Sequence, residues 1–308
     1  MVSFTLKGTQ DDGGSYQGVW TDGTYIYTVC GTSGLRAYSF DGSTFTLKDT
    51  KLDAGASYLC VWGDGTYIYA GTILGIYAYT FNGTSLTLKG SIYNPQDYVY
   101  GIWSDGTYIY AACNTSGFYA YTFDGTAFTY KGHTQEEGIY FWVWGDLTYI
   151  YVANWTLGLR VYTFNGANFI LKDTKTDGGT YSGVVGDGTY IYTTCGVGGL
   201  CAYTFDGAAL TLKGSINDGG FYYSVWKYGT TLFVMCGASG IRAYTFDGAN
   251  FTLKATQVDG TDTYQNDWGD GNYIYTACYG DGIRAYTFNG GPISVNQTMV
   301  LTGNLTCR

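Results

Sequence analysis

The chain has 308 residues, and its 15 Lys and Arg against 24 Asp and Glu give a formal net charge of −9, which argues against a nucleic-acid binder or an anionic-membrane surface. Hydrophobic residues make up 45% and charged residues 13%, enough for a sizeable core and too little charge for a disordered chain. Gly 48, Tyr 34 and Pro 2 exclude collagen and Pro-rich linkers, no apolar run approaches the ~20 residues of a membrane helix, and Met1 to Lys7 shows no secretory signal.

The first element, residues 4–9, reads Phe-Thr-Leu-Lys-Gly-Thr. Residues 15–20 then form a short apolar strand that ends at the turn Thr21-Asp22-Gly23, and residues 25–30 form an aromatic and β-branched one. A small-residue loop, 31–34, leads into a third strand at 35–40. The hairpin signal Asp41-Gly42 follows, with Gly suited to the positive φ of such turns, and residues 45–48 complete a fourth strand.

This unit repeats. Asp-Gly-Thr-Tyr-Ile-Tyr begins at Asp22, Asp64, Asp105 and Asp187, with variants at Asp146 and Asp270 and a decayed copy at Tyr228. The anchors lie 42, 41, 41, 41, 41 and 42 residues apart. Repeats of that length built only of short strands are the signature of propeller blades. The predicted fold is therefore all-β, a seven-bladed β-propeller with four antiparallel strands per blade. Apolar residues on both strand faces fit blades covered on both sides. The blade-end Trp20, Trp62, Trp103, Trp144, Trp226 and Trp268, with Val185 as the exception, belong to the same core.

Residues 25–38, which include Gly34-Leu35-Arg36, resemble the repeats of LVIVD-repeat β-propellers of bacterial and archaeal surface proteins. The segment recurs at 149–162 and 273–286. The resemblance implies the propeller fold and surface display; it carries over no catalytic residue. The chain departs from the family pattern in having Tyr-Thr-Phe-Asp-Gly where a turn with Asp and Pro is usual.

Residues 4–9 copy the fourth strand, and the last repeat lacks one, so pairing the two ends closes the ring and leaves no free blade edge. Residues 293–298 align with the same slot, but Pro292 and the loss of Lys at Asn296 make them the weaker candidate. The propeller is assigned to 1–290 and a C-terminal tail to 291–308. That tail then adds an outer strand, lies on the rim, or pairs with another subunit.

Catalytic chemistry finds little material. The single His133 is expected on a loop beside Glu136 and Glu137, with no partner nucleophile. Cys30, Cys113, Cys195, Cys236 and Cys278 share one repeat position, with Thr72 and Asn154 in the other copies, and read as small buried hydrophobes. Cys60, Cys201 and Cys307 fall elsewhere, and Cys307 could bridge two chains. The Asp-Gly turns lack calcium-ligand spacing, so no metal or cofactor is expected. Lys7, Lys48, Lys89, Lys131, Lys172, Lys213 and Lys254 recur on the outermost strand, where lysine blocks sheet-to-sheet pairing. Sequons at Asn82, Asn114, Asn154, Asn250, Asn296 and Asn304 hint at secretion.

The loops entering the innermost strands carry an acid followed by an aromatic. The pairs are Asp12 with Tyr16, Asp53 with Tyr58, Glu136 with Tyr140, Asp177 with Tyr181, Asp218 with Tyr222, and Asp259 with Tyr264. In the third repeat Asn94 and Asp97 precede Tyr98 and Tyr100. Repeat symmetry clusters these groups at the mouth of the central channel, where they suit stacking on sugars or catching basic peptide groups. The same residues also suit a bland role, with tyrosines packed between blades and acids solvating loops. The expectation is a non-enzymatic binding or adhesion module for a carbohydrate or protein ligand, extracellular or on a surface. The alternative is a structural subunit of a filament, virion or surface layer, self-associating through residues 291–308. No nucleic acid and no membrane insertion are expected.

Overall fold

Alternating turns and short aromatic, β-branched runs leave the chain no choice but antiparallel strands. The computed structural model describes residues 2–93, 97–134, 136–177 and 179–290. Among them 28 strands, numbered here in chain order, form seven four-stranded antiparallel sheets arranged as blades. Blade one consists of β2 (Gly18–Thr21), β3 (Ile26–Val29), β4 (Leu35–Phe40) and β5 (Phe45–Lys51), from the channel outward. Strands β2 and β3 are buried along their whole length, whereas β5 alternates only weakly and is largely exposed. Burial thus falls with distance from the axis.

The ring closes as expected. Strand β1 (Phe4–Gln10) pairs antiparallel with β28 (Gly282–Phe288), from Phe4 opposite Phe288 to Gln10 opposite Ile283. It becomes the outermost strand of blade seven, beyond β27 (Ile274–Cys278) and β26 (Tyr264–Gly269). The competing segment 293–298 and the rest of the tail lie outside the described residues, as do Cys307, Asn296 and Asn304.

The outer-strand lysines have a more specific place than edge protection alone. In blade one Ala37 pairs with Asp49 and Tyr38 with Leu47, so Lys48 is the extra residue of a β-bulge. The same register shift falls at Lys7, Lys89, Lys131, Lys172, Lys213 and Lys254. Bulge and lysine together twist and charge every outer edge.

At the lower face, each anchor aspartate fastens its own turn. Asp22 Oδ1 accepts the N–H groups of Thr24 and Tyr25 at 2.8 and 2.7 Å, and its Oδ2 accepts the Tyr27 hydroxyl at 2.7 Å. Turn tyrosines then couple neighbouring blades. Tyr25 meets Phe81 edge-to-face at 4.9 Å, and the pairs Tyr67–Phe123, Tyr108–Phe164, Tyr149–Phe205, Tyr190–Phe246 and Tyr273–Phe40 repeat the contact within 5.1 Å. Each such pair is worth about 0.5–1.5 kcal/mol beyond area burial. The blade-end indoles add a second coupling. A side-chain carbon on Gly63, Gly145, Gly186 or Gly269 would collide with Trp20, Trp103, Trp144 or Trp226 of the preceding blade.

All seven described cysteines are free and buried. His133 corrects its expectation. It lies not on a loop but in the outermost strand β13 (Phe128–Thr134), where its Nδ1 is 2.6 Å from the Tyr130 hydroxyl and its ring stacks on Tyr119 at 5.0 Å. Of the sequons, Asn154 is fully buried and its Oδ1 caps Leu157 at 3.0 Å, while Asn82 and Asn250 are exposed at turns.

Candidate functional site: the mouth of the central channel

The upper face carries the loops that enter each innermost strand and those that join the second strand to the third. The acidic residues and tyrosines singled out above do gather there, but the rings do not face solvent. Tyr16, Tyr58, Tyr140, Tyr181, Tyr222 and Tyr264 are at most 1% exposed. Each meets a third-strand tyrosine hydroxyl to hydroxyl. Tyr58–Tyr79 and Tyr264–Tyr286 are separated by 2.9 Å, Tyr222–Tyr244 by 3.1 Å and Tyr16–Tyr38 by 3.3 Å. Tyr181–Tyr203 and Tyr140–Tyr162 follow at 3.2 and 3.4 Å. Such rings cannot stack on a ligand. The expectation that they do is corrected: the residue is needed to fill the wedge between blades, and its polar tip finds a partner there.

The loop acids cap these pairs. Tyr38 donates to Asp12 at 2.8 Å, Tyr79 to Asp53 at 2.5 Å, Tyr162 to Glu136 at 3.1 Å and Tyr244 to Asp218 at 3.0 Å. In blades one, four, six and seven an arginine lies over the first-strand ring at 5.1 to 5.7 Å. Arg36, Arg160 and Arg242 donate to the hydroxyls of Tyr16, Tyr140 and Tyr222 at 2.7, 2.8 and 2.9 Å. Burial, reinforced by Tyr16 and Asp12, pushes the Tyr38 hydroxyl far above its ordinary range, so it remains a donor. Arg284 turns instead to Asp281, at 2.9 Å. Asp259 accepts the Gln257 amide at 2.9 Å. Asp177 is exposed on its loop.

Blade three departs from the series. The buried position holds Val99, so Tyr98 and Tyr100 are its neighbours rather than its equivalents. Asp97 braces the next loop, accepting Asn114 Nδ2 at 3.0 Å and the Ser116 hydroxyl at 2.9 Å. Asn94 lies outside the described residues.

The mouth itself is built by the residue that follows each buried tyrosine, or Val99 in blade three, joined in blades four, six and seven by the residue after it. A cavity of about 230 Å³ is lined by Gln17, Leu59, Tyr100, Phe141, Trp142, Ser182, Tyr223, Ser224, Gln265 and Asn266, which come from all seven blades. Tyr100, Phe141, Trp142 and Tyr223 give it aromatic walls, and three of them belong to a longer chain of ring contacts. Tyr98 meets Tyr100 at 6.0 Å, Tyr100 stacks on Phe141 at 4.9 Å, and Phe141 meets Trp155 at 5.1 Å. Trp155 stacks on Phe221 at 5.5 Å, and Phe221 meets Tyr223 at 4.6 Å. Tyr98 is exposed and the other five rings are half-buried.

Polar lining residues are held by the protein. Asn266 Oδ1 accepts the Val19 N–H at 3.1 Å, Ser182 donates to the Tyr222 carbonyl at 2.9 Å, and Ser224 donates to Asp267 at 2.5 Å. Asp267 occupies the position of Val19, Val61, Ile102, Val143, Val184 and Val225 in the other blades. It is 3% exposed, its second oxygen has no partner among the described residues, and burial pushes its carboxyl up to about 7. Among the described residues, no group of three or more His, Cys, Asp or Glu is placed to hold a metal ion.

No family model matches this sequence, and no curated protein does. Solved structures do resemble the fold. The WD40 β-propeller domain of Doa1 superposes with TM-score 0.74 at 12% identity, over 93% of this chain and 97% of that one. A chain of a mitotic checkpoint complex gives TM-score 0.71 at 12% identity, over 92% of each chain. The computationally designed Ika8 protein gives 0.66 at 5% identity, over 92% and 99%. The likeness shows the fold, a seven-bladed β-propeller, and a fold by itself does not fix a function.

Proposed function

We propose that the protein is a non-enzymatic binding module that takes its ligand at the mouth of the central channel. The observation that carries this reading is a chain of six touching aromatic rings, one exposed and five half-buried, of which Tyr100, Phe141 and Tyr223 line the cavity. Rings in the blade interfaces are buried because packing requires it. Those on the rim leave apolar surface in water, which a ligand recovers by covering it. Placing Asp12, Asp53, Glu136 and Asp218 in tyrosine networks removes them as primary contacts and leaves a negatively charged surround. The resemblance to LVIVD-repeat propellers supports display at a surface, and adhesion there is the role proposed for it.

The test compares wild type with Phe141→Ser/Trp155→Ser/Phe221→Ser against glycan and peptide libraries. Ligands held by wild type and lost by the variant, with melting unchanged, support the reading. Equal capture by both refutes it. The assembly alternative rests on residues 291–308 and is tested by sedimentation of the full chain beside one ending at Gly290.

A further inference from the structure

We infer that the channel mouth receives an uncharged, hydroxyl-rich ring, a single pyranose residue of a neutral glycan. This rests on the binding function proposed above and names the ligand class.

The first observation is the absence of charge on the cavity wall: its lining residues are aromatic, aliphatic, amide or hydroxyl, with no Lys, Arg, His, Asp or Glu among them. A charged ligand would leave water without a counter-charge to meet, which is costly in an enclosed site. The second is that the polar groups are of both kinds and already oriented. Gln17 and Gln265, half-buried in the lining, each carry an amide oxygen that accepts and an NH2 group that donates, and the Ser224 hydroxyl, donating to Asp267, keeps lone pairs to accept. Asn266 has its carbonyl oxygen engaged by Val19, so its NH2 group is left to donate. Vicinal sugar hydroxyls both donate and accept, and meet this alternation. The third is the aromatic wall, where Tyr100 and Phe141 lie nearly parallel, 23° between planes. Flat apolar faces of this sort match the C–H face of a pyranose, while the amides of the lining match its hydroxyl edge. The volume, about 230 Å³, sits below the ~300 Å³ at which sites for drug-sized ligands begin, so it has room for one ring rather than an extended ligand.

An alkylammonium ion is the rival that aromatic rings also attract. A carboxylate on the wall would supply the counter-charge that offsets its loss of water. Asp267 stands behind that wall, 3% exposed, with one oxygen held by Ser224.

Saturation-transfer NMR on the full chain tests the inference. The probes are the methyl glycosides of glucose, galactose and N-acetylglucosamine, with n-butylammonium and sialic acid beside them. At least one neutral glycoside is expected to bind wild type and to weaken about tenfold in Phe141→Ala and again in Gln265→Ala. The second variant, at an amide on the rim, guards against misfolding of the first, and melting curves check both. Phe141-dependent binding of n-butylammonium or sialic acid without any neutral glycoside overturns the sugar inference and leaves the mouth as the binding site. A neutral glycoside that binds all three proteins equally overturns both. Silence from every neutral glycoside overturns the inference alone, since the library comparison above judges the mouth separately.

Discussion

Lys227 Nζ lies 3.2 Å from the Asp187 carboxylate, at the one blade interface where the blade-end indole is missing. Elsewhere a tryptophan of one blade rests on a small residue of the next, as Trp144 does on Gly186. Between blades five and six Val185 replaces the indole and Lys227 replaces the glycine. The lysine stem covers the space, and its ammonium also reaches the Gly229 carbonyl at 2.6 Å. Against the cost of burial, backbone hydrogen bonds from Tyr190 and Thr189, and after them the Lys227 ammonium, hold the Asp187 carboxyl below its usual range.

Lys227→Gly is therefore expected to lower stability by roughly 1–2 kcal/mol, through a void and a lost ion pair. Val185→Trp alone is expected to lose a similar amount by overpacking. The double variant restores the arrangement of the other interfaces, so the two losses are expected not to add. Denaturant unfolding of the four proteins reads the coupling, expected at about 1 kcal/mol or more in favour of the pair. Simple additivity would mean that the two positions do not compensate.

Asp267→Val returns blade seven to the residue type of its neighbours. The carboxyl is pushed up to about 7 by burial, against about 3.9 in an unfolded chain. Between these values the folded chain binds more protons, so this group's penalty is absent below about pH 4 and grows as pH rises through 7. The substitution is expected to stabilise by about 2 kcal/mol or more at pH 8 and by little at pH 4. Denaturation at both pH values checks it. A gain independent of pH would contradict the account.

Tyr222→Phe removes a hydroxyl that accepts Arg242 at 2.9 Å and the Asp218 N–H at 2.9 Å. The cost is expected to be about 2 kcal/mol, because a buried guanidinium loses a partner. Ligand capture at the mouth is expected to be unchanged, since the ring lies under the loops. Stability and binding measured on one preparation separate the two effects.

Cys195 and Cys201 place their sulfur atoms 3.3 Å apart, with Cys195 donating to Cys201 and holding the latter's thiol below its ordinary range. A mild thiol oxidant such as diamide is expected to remove these two thiols first, as a disulfide within one chain. Peptide mapping reads the pairing, and a first disulfide at any other cysteine would contradict it.

The blades were legible because every local cue agrees with the repeat: turn aspartates, strand aromatics and outer lysines recur in step. Closure by β1 was legible for the same reason, since Phe4 to Lys7 copies Phe45 to Lys48. The site was legible only to within one residue. In a strand, neighbours point opposite ways, so Tyr16 enters the blade interface while Gln17 reaches the channel. The signal lay in the column that breaks the repeat, which reads Gln17, Leu59, Tyr100, Phe141, Ser182, Tyr223 and Gln265. Trp155 and Phe221 join the ring contacts from different loops, a proximity that no spacing along the chain reports. Cys201 likewise falls off the shared cysteine position, and only folding brings it to Cys195.

The eight tryptophans supply the most direct measurement of the central claim. Trp142 and Trp155 stand at the mouth, while Trp20, Trp62, Trp103, Trp144, Trp226 and Trp268 end the innermost strands at the opposite face. Indole N–H signals of ¹⁵N-labelled protein, titrated with whichever neutral glycoside, amine or peptide binds, report the two groups separately. The Trp142 and Trp155 signals are expected to move and the other six to stay. Movement confined to those six, with Trp142 and Trp155 unchanged, would place the ligand at the other end of the channel and contradict the claim.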